Sequence, residues 1–139
     1  MKTKHILIVL AGLLVGLSAK AQQQPLTPEQ EEKKLREAIE EMVLRYEESL
    51  KLEVWQTFYV DSILTHNYFE LTAETKKMAE NRIANQELYS IVADKWEDET
   101  YKAFQQILTE DQWKKYLKGG AARAKKAREQ RAAKREAQK

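Results

Sequence analysis

Apolar residues recur along most of this chain at intervals of three and four, the spacing of one face of an α-helix. From Glu29 to Lys118 there are 90 residues with neither Gly nor Pro. Turn chemistry for hairpins is therefore scarce, and Glu, Lys, Leu, Ala, Gln and Arg favour helix. A first helix is predicted from Pro28, with Leu35, Ile39, Met42, Val43, Tyr46 and Leu50 as its buried stripe. Residues 52–69 are denser in large apolar groups. Val54, Phe58 and Trp55, Tyr59, Ile63 keep helical spacing, although Val54 to Val60 also has β propensity and leaves a strand open there. Thr65-His66-Asn67 sets three poor helix formers side by side and predicts a bend or loop. A further helix is expected to start at Thr72 and run to about Ile83. Another, capped by Asn85, carries Leu88, Ile91, Val92, Trp96, Phe104 and Ile107 on one face. The last helix shows Trp113, Tyr116 and Leu117 before Gly119-Gly120, a natural stop.

Two helix starts share a pattern: Leu26-Thr27-Pro28-Glu29-Gln30 and Leu108-Thr109-Glu110-Asp111-Gln112. With Thr as N-cap, Gln falls at the third helical position, which makes a capping box. The Thr hydroxyl accepts from an orphan backbone N–H and the Gln side chain reaches back to the N-cap N–H. Leu108 is placed to staple onto Trp113, whereas Leu26 meets Glu31 and lacks that partner. Two ordinary helix starts would read the same way.

Charge divides the chain. Residues 22–113 hold 10 basic and 20 acidic residues; residues 114–139 hold 11 basic and 2 acidic. An acidic body thus precedes a basic tail, and the two should attract. Residues 121–139 contain only Ala, Arg, Lys, Glu and Gln. That tail has helix propensity but no hydrophobic face, so it is expected to be frayed or partly disordered, and helical when bound. At the other end, Lys2, Lys4 and His5 precede an uncharged apolar run of 12 residues, Ile6 to Leu17, and then Ala19-Lys20-Ala21. This has the form of a Sec-type secretory signal, cleaved before Gln22, and is too short to span a bilayer. The expected organisation is therefore a signal over 1–21, a helical domain over 22–118 and a basic tail over 119–139. The chain has no Cys, so neither a disulfide nor a lipidated N-terminal Cys is available.

Few residues offer catalytic chemistry. His66 would be the one histidine of the mature chain and, in a polar turn, reads as a solvated side chain. A transition-metal site wants several His or Cys ligands. Glu40-Glu41, Glu47-Glu48 and Glu97-Asp98-Glu99 read as solvated helix faces rather than calcium ligands. No Gly-rich phosphate loop is present. No enzymatic activity, cofactor or metal is expected. The aromatic load is large: three Trp, six Tyr and three Phe. These rings serve either as core or, in part, as an exposed concave patch. Trp55, Phe58, Tyr59 and Phe69 are the candidates for the patch, because their segment is apolar all round.

An export signal, a small cysteine-free helical body and the paired Leu-Thr-x-x-Gln motifs resemble the Spy/CpxP family of periplasmic proteins. The likeness rests on Leu26 to Ile39 and Phe104 to Tyr116. It implies an all-α, long-helix antiparallel hairpin or bundle of about four helices with coiled-coil-like packing, often a homodimer shaped like a cradle. It also implies an ATP-independent, holdase-like chaperone or envelope-stress protein whose partners are unfolded or partly folded proteins. Leu26, Thr27, Gln30, Leu108, Thr109 and Gln112 carry the motif and are structural. Trp55, Phe58, Tyr59 and Phe69 are the candidate client-binding residues. The chain departs from the family in its acidic, aromatic-rich middle, with basic charge displaced to the tail. The alternative is an envelope interaction or sensor protein whose tail docks on an anionic partner. In a further arrangement the tail folds back onto the acidic body. Nucleic-acid binding by the tail is not expected, since it has no aromatic residue for stacking.

Overall fold

Five α-helices are found among the residues described by the computed structural model, 25–138: α1 (Pro28–Leu50), α2 (Val54–Glu80), α3 (Gln86–Ile107), α4 (Glu110–Tyr116) and α5 (Ala122–Ala137). No strand occurs among these residues, so the open choice over Val54 to Val60 resolves as helix. The expected export signal lies outside the described residues. The chain divides into two compact units, residues 1–33 and 34–139. Within the described part of the first, Pro28 opens α1 and Glu29 and Glu31 fill its first turn, at the positive end of the helix dipole.

The second unit is built on α2 and α3, which run antiparallel. Gln56 donates to the Ile107 carbonyl, Asn67 to the Thr100 hydroxyl and Trp96 to the Glu74 carboxylate. As the number rises along α2, the partner's number falls along α3. Ile39, Val43 and Leu50 of α1 close over Val60 and Leu64 of α2 and over Phe104 and Leu108. Trp113 and Tyr116 of α4 pack against the same cluster.

The helix boundaries correct two expectations. No bend occurs at Thr65-His66-Asn67, and Thr72 caps nothing, because α2 runs unbroken through both. The poor helix formers are satisfied in place. The Thr72 and Thr75 hydroxyls donate to the carbonyls of Tyr68 and Leu71, one turn back, and the Asn67 amide is buried against Thr100. The turn falls instead at Lys51–Glu53. Lys51 takes a left-handed backbone (φ 55°), and Leu52 N–H reaches back to the Glu47 carbonyl, as in a Schellman motif. Arg82 (φ 56°) ends α2 in the same way, with Ile83 N–H on the Met78 carbonyl. Non-glycine residues fill both left-handed positions, which hid these stops in the sequence.

Gly119-Gly120 ends α4 as expected, and the chain turns a corner there. The chain kinks within Leu117–Ala121, where Gly120 leaves the helical region (φ 124°), and α5 follows at once. The tail expected to fray is thus a helix of 16 residues, and Arg128 at its centre is only 6% exposed. Lacking an apolar face, it is held by charge. The Arg128 guanidinium donates to Asp98 at 2.8 Å and lies 3.8 Å from Glu97. Arg131 grips Asp94 at 2.6 and 3.0 Å, and Arg135 stands 3.7 Å from it. Of the readings of the tail, the one in which it folds onto the acidic body is the one observed.

Candidate functional site

The first two turns of α2 leave α1 behind at the Lys51–Glu53 turn and carry their outward face into solvent. Val54 is 88% exposed, Phe58 66%, Tyr59 50% and Trp55 49%. The rings meet edge to face, Trp55–Tyr59 at 6.1 Å and Phe58–Tyr59 at 5.8 Å between centroids. Trp55 Nε1–H donates to Glu53 Oε2 at 2.6 Å, which fixes the indole plane. Leu52, Glu53, Val54, Trp55 and Phe58 line an open, shallow depression. A contiguous aromatic surface of this kind, edged by Glu53, marks an interaction site more often than a solitary exposed apolar residue does. Three of the four residues singled out for a patch therefore stand together.

Phe69 does not join them. It lies 11 residues beyond Phe58 on α2, about 16 Å along the axis at 1.5 Å per residue. There α1 runs alongside. Phe69 is half-buried against the core, with the Arg36 guanidinium 4.8 Å from its ring centre. Its ring contributes packing and a cation–π contact rather than open surface.

Both capping boxes form. In the first unit, Thr27 N–H donates to Gln30 Oε1 at 3.0 Å and Gln30 N–H to Thr27 Oγ1 at 3.3 Å. Thr109 and Gln112 repeat the exchange at 3.0 and 3.3 Å. The second box does more than cap. Gln112 Nε2 also donates to the Lys51 carbonyl at 3.3 Å. Its amide exchanges bonds with Gln56, at 2.7 and 3.0 Å. Gln56 is 1% exposed and takes the Glu53 N–H at the start of α2 while donating to the Ile107 carbonyl. Two helix starts and the end of α3 are thereby fastened through one pair of glutamines, directly beneath the aromatic depression. Gln56 carried no signal of this role, since Glu-x-x-Gln at 53–56 is a weaker cap than Thr-x-x-Gln.

A second aromatic group is internal. Tyr46, Phe104, Tyr116, Tyr101 and Trp113 form a connected set with centroid spacings of 4.9 to 6.4 Å. Burial, reinforced by the Glu97 charge, raises the Tyr46 and Tyr68 phenols above their ordinary range. Burial, then the Tyr46 phenol and Glu97, raises Tyr116 furthest. A cleft of about 860 Å³ opens beside them between the end of α1, α3 and the Gly119-Gly120 corner, with Arg45, Lys51, Lys115, Glu97 and Arg128 among its walls. His66 sits edge to face with Trp96 at 5.8 Å, within α2 rather than in a turn. Among the described residues no group of three or more His, Cys, Asp or Glu is placed to hold a metal ion. No helix among them is long and apolar enough to cross a membrane.

Asp94 and Asp98 hold α5, although the Glu97-Asp98-Glu99 run reads from sequence as a solvated helix face and Asp94 stands alone there. The usable signal was register. Arg128, Arg131 and Arg135 share one helical face, as do Asp94 and Asp98. Burial raises the Asp98 carboxyl, but the Arg128 hydrogen bond and charge and the Lys125 charge outweigh it and leave the group below its ordinary value of 3.8. A depressed carboxyl stabilises the docked state fully above that value and ceases to do so as pH falls through the lower folded value. With Trp55 and Trp113 replaced by Phe so that Trp96 is the donor, energy transfer to a dye on Ala132→Cys is expected to hold constant from neutral pH to about 4 and to drop below 3.8.

Comparison with protein families, with characterised proteins and with solved structures finds no match for the chain.

Proposed function

We propose that the protein is an exported, ATP-independent holdase-like chaperone of the periplasm, similar in kind to the Spy/CpxP proteins, and that it holds unfolded chains on the surface formed by Val54, Trp55, Phe58 and Tyr59. The observation that carries this reading is that exposed ring cluster, set on an otherwise strongly charged helical surface. Flat aromatic faces contact many apolar sequences without demanding a fixed partner, and a shallow site edged by a carboxylate binds weakly enough to let go without a nucleotide. The two closed Thr–Gln caps and the signal-like N-terminus add support. A homodimer would present two such clusters to one client.

The test is the scattering of a denatured client on dilution, without ATP. The chain from Gln22 onward is expected to suppress aggregation at near-stoichiometric ratio. Trp55→Ser/Phe58→Ser/Tyr59→Ser, all at exposed positions, is expected to retain its helical circular dichroism and to need at least about fivefold more protein for the same effect, the loss of a weak apolar contact on the order of 1 kcal/mol. No suppression by the parent chain, or equal suppression by the variant, would remove the reading. Light-scattering mass at the same concentration tests the dimer.

A further inference from the structure

The cations of α5 serve its docking, yet they are more numerous than docking needs. The helix holds seven Lys and Arg against two Glu, and no apolar side chain larger than Ala. Arg128, Arg131 and Arg135 turn inward to Asp94 and Asp98. Arg123, Lys126 and Lys134 stand exposed on the other side. Positive charge therefore rings the helix over its whole length of about 24 Å. A small anion would meet one or two of these groups, whereas a plane of phosphate headgroups meets several along one side of the helix at once. A cluster of four to eight cations on a helix is the pattern that anionic leaflets attract. The lack of an apolar face keeps such a helix at headgroup level, and the lack of aromatic residues argues against single-stranded nucleic acid.

We propose that α5 is a docking element for an anionic lipid surface, and that Asp94 and Asp98 compete with that surface for the same guanidinium groups. Engagement of Arg128, Arg131 and Arg135 by phosphates and by α3 is mutually exclusive, so first contact falls to Arg123, Lys126 and Lys134, and recruitment of the three arginines lifts α5 from the body at the Gly120 corner. Lifting also removes the Ala124 and Arg128 wall of the cleft beside Tyr46, Tyr101 and Tyr116. Lys125, 5.7 Å from the Tyr101 ring centre, leaves with it. The surface thus uncovers aromatic area on the body. This rests on the exported reading, which gives the protein access to a leaflet. Its test measures vesicle binding, so it fails separately from the client assay.

The full chain from Gln22 onward is sedimented with vesicles of phosphatidylcholine, and with vesicles of phosphatidylcholine and phosphatidylglycerol. Binding is expected with the anionic vesicles alone, and to vanish when residues 122–137 are deleted. Asp94→Asn/Asp98→Asn is expected to bind them roughly tenfold more tightly, because the competing state no longer withholds the helix. Glu40→Gln/Glu70→Gln, which removes the same charge from exposed positions elsewhere, is expected to stay within about twofold of the parent. Should the first variant lose helicity, Asp94→Asn alone carries the comparison, with an intermediate gain. Equal binding by the two double variants, parent binding to phosphatidylcholine alone, or binding to a soluble anionic polysaccharide but not to vesicles would each overturn the proposal.

Discussion

Phe104→Ala is expected to cost about 3–5 kcal/mol of unfolding free energy, the range for a large aromatic residue removed from a core without collapse around the gap. Phe104 is fully buried, edge to face with Tyr46 at 5.2 Å and inclined to Tyr116 at 5.3 Å. It touches side chains from α1 and α4, so its loss loosens three helices at once. A domain of this size has on the order of 5–15 kcal/mol in total. Urea titration followed by far-ultraviolet circular dichroism reads the effect as a fall in midpoint at constant slope. A cost under about 1 kcal/mol would mean that the helices close over the gap, and that the core is not organised around this ring.

Gln112→Ala is expected to cost about 2–3 kcal/mol, far more than an exposed capping residue usually does, because the buried Gln56 amide loses one partner on each of its two atoms and the Lys51 carbonyl loses its donor as well. Gln56→Ala should cost a similar amount. The double variant should fall short of the sum by about 1 kcal/mol, the signature of two side chains in one hydrogen-bond network. Gln30→Ala removes the same cap chemistry at an exposed site, with a cost of about 0.5–1 kcal/mol. If Gln30→Ala and Gln112→Ala proved equal, the glutamine pair would add nothing beyond capping. Thermal or urea unfolding of the four proteins decides it.

Local chemistry was the legible part of this fold. The all-α class, the caps at Asn85 and Thr109 and the stripe from Leu35 to Leu50 follow from spacing and from side chains that bond their own backbone. What could not be read depends on a partner distant in sequence. Asn67 stays in a helix because Thr100, 33 residues away, satisfies its amide. The tail forms a helix because Asp94 and Asp98 neutralise one side of it. The spacing marks residues 52–69 as too apolar for one face, but does not say which rings α1 covers. That depended on a turn at Lys51 which no glycine announced, and it separated Phe69 from Trp55, Phe58 and Tyr59.

The corner at Gly120 rests on a torsion that residues with a Cβ rarely adopt. Gly119 beside it has open space where a Cβ would stand, so crowding is not what requires glycine at this corner. With a right-handed torsion at 120, the chain from Glu110 to Ala137 would wind as one straight rod of roughly 40 Å. Such a rod would hold its final turns out of reach of Asp94. The sign of a single backbone angle therefore decides whether Arg128, Arg131 and Arg135 are stowed as counter-ions or swung outward on a lever.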